Sequence, residues 1–91
     1  MPERRVVIAS KVGLHARPAS LFVQAASAAG VPVTIAKEGG DPVSARSILQ
    51  VLALDARGGE AVVLSAEGDG AEAALDGLVR LLEIDHDAAE G

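Results

Sequence analysis

The spacing of apolar residues along the chain alternates between the period of strands and that of helices. The first apolar segment, RRVVIA, is rich in β-branched residues and places Val6 and Ile8 on one face of a predicted strand. The segments VTIA and AVVLSA have the same character. A hairpin is predicted after VTIA, because KEGGD supplies turn residues and Pro42 suits an edge strand. The predicted strands are residues 4–9, 33–36, 42–44 and 61–66.

The segment between the first two strands has helical spacing. Apolar residues recur at i, i+3, i+4 and i+7 from about residue 16 to residue 29, which predicts an amphipathic helix. Gly30 and Pro32 would end it, since glycine favours the position after a helix and proline cannot continue one. Its predicted core residues are Ala19, Phe22, Val23 and Ala26.

Two further helices are predicted from their capping residues. Ser47 and Gln50 have the spacing of a capping box, which opens a short helix to about Leu54. Asp69 and Glu72 repeat that spacing before a longer helix. The apolar stripe of this third helix consists of Leu75, Leu78, Val79 and Leu82.

The order β-α-β-β-α-β-α predicts an α+β fold, an open-faced two-layer sandwich. A four-stranded antiparallel sheet would carry all three helices on one face. Phe22 is the only aromatic residue, so the core must be built from Val, Leu, Ile and Ala, which favours two thin layers. The 91 residues fit a single domain, 1–91, with a polar tail from about residue 85.

Composition excludes several classes of function. The chain has no cysteine, so neither disulfides nor a thiolate metal site is expected. A net charge of −5 and the lack of aromatic stacking residues argue against nucleic-acid binding. No apolar run is long enough for membrane insertion, and the N-terminus lacks the apolar region of a signal peptide. A cytoplasmic protein that binds other proteins or small anions is therefore expected.

The segment KVGLHARPAS combines a histidine with the start of the first helix. The first N–H groups of a helix have no internal partners and bind anions readily, and here they belong to Ala16 and Arg17. Pro18 has no N–H, but its fixed φ suits a first turn. The guanidinium of Arg17 matches a phosphate group. Both the helix terminus and Arg17 favour a neutral imidazole at His15, so the pattern indicates a nucleophilic phosphoryl acceptor.

More than one interpretation of the two histidines is open on local chemistry. His15 could be an ordinary surface residue or a helix cap, and no second ligand at a supporting spacing indicates a metal site there. His86 lies in the segment DHD, which is typical of a solvated terminus or a weak metal site. Ser20 could approach His15 from the next turn, but a hydrolase triad would also need an ordering carboxylate.

Two segments resemble the signatures of a known family. GLHARPA, residues 13–19, resembles the active-site signature of HPr, the histidine-containing phosphocarriers of the bacterial phosphoenolpyruvate–sugar phosphotransferase system. ARSIL, residues 45–49, resembles the second signature of that family, around its regulatory serine. The resemblance runs from about Arg4 to Glu83, and the predicted order of elements agrees with it.

The resemblance implies a phosphoryl relay. Phosphorylated Enzyme I would transfer its group to the Nδ1 (pros) nitrogen of His15, where Arg17 and the amides of Ala16 and Arg17 would hold it. IIA domains of sugar permeases would then accept the group. The resemblance implies a carrier without cofactor or metal, a monomer whose reactions are completed by its partner enzymes.

The resemblance also implies a docking surface and a regulatory site. The starts of the first and second helices would bind partners, with Leu49 and Leu52 pointing outward. Ser47 is either a helix cap alone or, as in the family, the target of a serine kinase. The docking residues implied are Ala16, Ser20, Gln24, Ile48, Leu49, Leu52 and Ala53.

Several positions depart from the common pattern of the family. Asp55 stands where many relatives have glycine, Ser44 replaces a frequent asparagine, and the KEGGDP hairpin is one residue longer. Gln24, Ser27 and Gln50 are neutral where some relatives carry lysine, which weakens steering toward an acidic partner. Three rival functions compete with the sugar-system carrier: a carrier of the nitrogen-related branch, an HPr-like regulator that carries no phosphate on histidine, and a small independent enzyme such as a phosphatase.

Overall fold

The computed structural model describes residues 2–9, 13–14 and 16–84. The elements follow the predicted order β-α-β-β-α-β-α. None of the helices in the described ranges is long and apolar enough to cross a membrane. The elements are β1 (Glu3–Val7), α1 (Ala16–Ala28), β2 (Val33–Lys37), β3 (Val43–Ser44), α2 (Ile48–Ala53), β4 (Ala61–Ala66) and α3 (Ala71–Glu83).

The four strands form one antiparallel sheet in the order β1-β4-β2-β3. Val6 of β1 pairs with Val62 of β4, and Leu64 of β4 pairs with Ile35 of β2. These residues are buried, because side chains alternate between the two faces of a strand and the register aligns the apolar face of each strand. The α+β open-faced sandwich predicted from the sequence is confirmed.

The helices cover that apolar face with the predicted stripes. In α1, Ala19, Phe22 and Ala26 are fully buried, and Val23 packs against them with partial exposure. Complete burial of a side chain as large as Phe22 stabilises the fold by roughly 2–3 kcal/mol. In α3, Leu75, Leu78 and Leu82 are buried, and Val79 is partly so.

The sheet ladder of β1 ends two residues earlier than predicted. Beyond Val7, the N–H of Ile8 donates to the carbonyl of Glu60 (2.9 Å), in the turn before β4. The N–H of Ala9 donates to the carbonyl of Leu82 in α3 (3.1 Å). The chain therefore leaves the sheet to bond with two other elements before it reaches the segment that precedes α1.

The start of α3 differs from the predicted cap. Gly70, with φ 86°, is the N-cap residue, and no side chain caps this helix, so the prediction that Asp69 caps it was wrong. Glu72 instead pairs with Arg4 of β1 (3.5 Å), and Asp76 accepts a hydrogen bond from the same guanidinium (3.2 Å). The acidic residues at this end of α3 thus tie the helix to the first strand.

Candidate functional site

The two described residues before His15 are anchored to the turn that follows α2. Leu14 is 2% exposed, and its N–H donates to the carbonyl of Ala56 (2.7 Å). Gly13 has φ 81°, in the left-handed region. A Cβ atom at Gly13 would lie 2.7 Å from Cα of Arg57 and nearer still to the carbonyl oxygen of Ala56. Glycine is required here both for its backbone conformation and for this close approach.

His15 itself lies outside the described residues, as do the preceding residues 10–12 and the polar tail from residue 85 with His86. The position of the accepting nitrogen and its contacts with a phosphoryl group therefore stay predictions. The described residues on either side, Leu14 and Ala16, mark where the chain enters and leaves that position.

The start of α1 has the features that an anion site requires. Ala16 and Arg17 are the first two helical residues, and both are exposed. Pro18 follows as the third and is buried, where its missing N–H costs no helical hydrogen bond. The first turn contains no acidic residue, so the positive end of the helix dipole is not offset within it. Binding of phosphate by Ala16 and Arg17 remains a prediction.

The turn after α2 begins with a residue in an unusual conformation. Asp55 has φ 52°, the only non-glycine residue with positive φ in the described ranges. It thus adopts the left-handed conformation that glycine would supply, which aspartate tolerates better than most residues. Its carboxylate forms an exposed ion pair with Arg57 (3.3 Å). Aspartate at position 55 therefore keeps the left-handed backbone conformation that a glycine would adopt there.

The short helix α2 exposes most of its apolar side chains. Leu49 is 77% exposed, whereas Ile48 and Leu52 are each 37% exposed. Val51 is the one residue of α2 that is fully buried, and it was not among the core residues predicted from the sequence. Leu49 and Leu52 lie outward as expected. Exposed apolar side chains on neighbouring turns are typical of a partner surface, so docking here remains a supported prediction.

The remaining residues of the predicted docking surface are polar or small. Gln24 is exposed, and its amide donates to the hydroxyl of Ser20 (3.3 Å), which is half-buried. Ala53 is exposed at the end of α2. The structure brings Ser20 and Gln24 onto one face of α1, since they are four residues apart.

Ser47 caps α2, but the capping box is one-sided. Its backbone is extended, and its hydroxyl accepts a hydrogen bond from the N–H of Gln50 (3.3 Å), as predicted. The side chain of Gln50 does not return to Ser47; its Oε1 accepts from the N–H of Ser44 (2.9 Å). Gln50 therefore joins the start of α2 to strand β3. The part of the chain that the structure describes holds no group of three or more potential metal ligands.

Comparisons with known proteins agree with the fold and identify the family. Residues 2–83 match the family model described as PTS HPr component phosphorylation site. The phosphocarrier protein HPr of Streptomyces coelicolor is 60% identical over 82 residues, which cover 90% of this chain and 88% of the relative. The crystal structure of HPr from Thermoanaerobacter tengcongensis superposes with a TM-score of 0.85 at 44% identity, covering 91% of this chain and 92% of that one.

Relatives with other names also match. The phosphocarrier protein NPr of Shewanella violacea is 38% identical over 96% of this chain and 94% of its own length. The HPr-like protein Crh of Halalkalibacterium halodurans is 36% identical over 91% of this chain and 98% of its own length. This chain belongs to the HPr family of the phosphotransferase system. HPr proteins are phosphocarriers and not enzymes in themselves.

Proposed function

We propose that this protein accepts a phosphoryl group from phosphorylated Enzyme I on His15 and donates it to IIA domains of sugar permeases. The observation that carries this proposal is the signature GLHARPA, in which Ala16 and Arg17 are exposed in the first turn of α1. The 60% identity to a phosphocarrier protein HPr supports it. The protein would act in the cytoplasm as a monomer, without a cofactor.

The transfer needs a neutral imidazole and a cradle for the phosphoryl oxygens. The lone pair of Nδ1 of His15 attacks phosphorus, the new N–P bond forms, and the bond between phosphorus and Enzyme I breaks with its electron pair left on Enzyme I. The helix terminus and Arg17 favour the neutral ring before transfer and stabilise the phosphoryl charge after it. Donation to a IIA domain is the same exchange in the opposite sense. The carrier adds positioning and charge, and each partner completes the site.

Incubation with phosphoenolpyruvate and Enzyme I tests the proposal. One phosphate that is labile in acid and stable in base is expected on each chain, because phosphohistidine has this stability. A chain that takes up no phosphate would contradict the carrier and favour an HPr-like regulator. Release of free phosphate would instead favour an enzyme.

A second candidate is a carrier of the nitrogen-related branch of the system. The match to an NPr protein is the observation that favours it. Rates of phosphorylation by a sugar-branch Enzyme I and by a nitrogen-branch Enzyme I distinguish the two carriers. A regulator without a histidine phosphate is disfavoured, since His15 is present in the signature.

Replacing Arg17 with lysine is expected to slow transfer about tenfold without abolishing it, because lysine keeps the positive charge but loses the two parallel N–H donors that hold a phosphoryl group. Rates of transfer from Enzyme I and to a IIA domain are to be measured. Arg80→Lys is the matched control, because it makes the same change at an exposed arginine in the last turn of α3. Wild-type rates in both directions for Arg17→Lys would remove Arg17 from the phosphate site.

Ser47 is proposed as a regulatory site within the docking surface. A phosphate on its hydroxyl would sit at the N-terminus of α2, beside Leu49, which is the most exposed apolar side chain of that helix. The positive helix end tolerates the phosphate, so the fold should persist. An apolar partner surface would meet a double negative charge, so partner binding should weaken.

Two substitutions at Ser47 are expected to separate capping from docking. Ser47→Ala loses the bond to the N–H of Gln50 and should lower the free energy of unfolding by about 1 kcal/mol, with normal phosphorylation. Ser47→Asp keeps a capping oxygen and should keep stability, but should raise the KM for Enzyme I. Thermal melting and the KM of Enzyme I-dependent phosphorylation are the measurements. An unchanged KM for Ser47→Asp would place Ser47 outside the partner surface.

A further inference from the structure

The turn between α2 and β4 bonds to both ends of the segment that leads to His15. On one side, Ile8 exchanges two backbone hydrogen bonds with it: its N–H donates to Glu60 (2.9 Å), and its carbonyl accepts from Gly59 (2.9 Å). On the other side, the N–H of Leu14 donates to Ala56 (2.7 Å). The turn therefore holds the chain just before and just after residues 9–13.

The carboxylate of Glu60 maintains the shape of this turn. Its Oε1 accepts a hydrogen bond from the N–H of Arg57 (2.7 Å), while the N–H of Glu60 donates to the carbonyl of Arg57 (3.0 Å). The ammonium group of Lys37 lies 3.5 Å from the same oxygen. These contacts lower the pKa of Glu60 from its ordinary value, chiefly through the bond from Arg57 and less through the charge of Lys37.

Arg57, which bonds to Glu60, also contacts Gly13, the first residue of the signature GLHARPA. The backbone of Arg57 fills the space where a side chain at Gly13 would stand, so the two backbones are in direct contact. Ala56, which precedes Arg57, is 3% exposed and supplies the carbonyl to Leu14. A displacement at Arg57 is therefore passed to Gly13 and Leu14, the residues directly before His15.

We propose that Glu60 is a positioning residue for the phosphoryl acceptor, acting through Arg57, Ala56 and Leu14. This inference rests on the proposed function of His15. Glu60 holds the turn, the turn holds Leu14, and Leu14 is the last described residue before His15. The effective feature is the hydrogen bond from the N–H of Arg57. The charge of Glu60 is secondary, since its pair with Lys37 is exposed and such pairs contribute little.

Two substitutions separate the hydrogen bond from the charge. Glu60→Ala removes both, and Glu60→Gln keeps the amide oxygen that accepts from Arg57 while it removes the charge. Glu38→Ala is the matched control. Glu38 is also an exposed glutamate whose carboxylate bonds to an arginine, but that arginine, Arg5, lies on β1 and not in the turn that bonds to Leu14. All three variants should fold, since neither glutamate is buried.

Enzyme I-dependent phosphorylation and amide hydrogen exchange are to be measured on the full chain. In Glu60→Ala, kcat should fall about tenfold with unchanged KM for Enzyme I, because small misplacement slows transfer and the docking surface is untouched. The amide of Leu14 should exchange faster, while that of Leu64 in the sheet should not change. Glu60→Gln and Glu38→Ala should behave as wild type.

The outcomes distinguish the inference from the function on which it rests. Normal labelling of the wild type with equal kcat in Glu60→Ala and Glu38→Ala would overturn the positioning role alone. A kcat in Glu60→Gln as low as in Glu60→Ala would overturn it too, since the hydrogen bond would then be irrelevant. No labelling of the wild type would overturn the proposed function, whatever the exchange of Leu14. Glu60→Asp, which draws the carboxylate back by one methylene, replaces alanine should that variant unfold, and the same loss of kcat is expected.

Discussion

Replacement of His15 with alanine is expected to reduce phosphate labelling from Enzyme I to background, with the chain still folding cooperatively. The imidazole nitrogen is the proposed nucleophile, and alanine has no group that can form the covalent intermediate. Leu14, the residue before His15, supplies a buried side chain and the bond to Ala56, and the substitution leaves both in place. Incorporation of labelled phosphate, paired with thermal melting, is the measurement.

The second histidine of the chain provides the control for that experiment. His86 lies in the polar tail, and His86→Ala should take up phosphate at the wild-type rate. Labelling that persists in His15→Ala and disappears in His86→Ala would remove His15 from the mechanism. Loss of labelling only in His15→Ala, with an unchanged melting temperature, would assign the acceptor to the signature GLHARPA.

Replacement of Gly13 with alanine is expected to lower the free energy of unfolding by about 3 kcal/mol. The left-handed φ of 81° accounts for roughly 1 kcal/mol of this. The overlap of the new Cβ with the backbone of Ala56 and Arg57 accounts for about 2 kcal/mol, because backbone atoms cannot move aside as a flexible side chain can. Denaturant unfolding measures the loss. Phosphorylation should slow as well, since the displaced backbone leads directly into Leu14 and His15.

Gly30→Ala is the matched control for the Gly13 variant. Gly30 has φ 79°, close to that of Gly13, but a Cβ there would meet no atom within 4 Å. Its substitution should therefore cost only the conformational part, about 1 kcal/mol, with unchanged phosphorylation. Equal losses of stability in the two variants would show that the close approach of Gly13 to Arg57 does not matter.

Local patterns were sufficient to predict most of the elements. Strand β4 was predicted as residues 61–66 and observed as Ala61–Ala66, because a β-branched run between turn residues has few other ways to bury its side chains. Helix α1 was predicted to residue 29 and ends at Ala28. The signal for its end is local, because glycine, here Gly30, favours the position after a helix. The hydrogen bond from the backbone N–H of Gln50 to the hydroxyl of Ser47 spans a single turn, so the spacing of the two residues was enough to predict it.

Two errors concern side chains for which a partner in another element competed with a partner in the same helical turn. The side chain of Gln50 had the right spacing to bond to the backbone N–H of Ser47. It accepts instead from the N–H of Ser44, which lies in β3. Glu72 had the spacing of a capping residue but faces Arg4, which the sheet places beside α3. In both cases the local bond was possible, and the folded chain offered the side chain another partner.

The sequence by itself determined the order of elements, the family signature and the identity of the candidate acceptor, His15. Each of these depends on residues close together in the sequence, and their spacing can be recognised without knowledge of any tertiary contact. Only the tertiary structure decided what supports the signature. Leu14 meets Ala56, and Gly13 meets Arg57, although two strands and two helices separate them along the chain. No periodicity marks such pairs, because they form only when the sheet and helices bring two turns together.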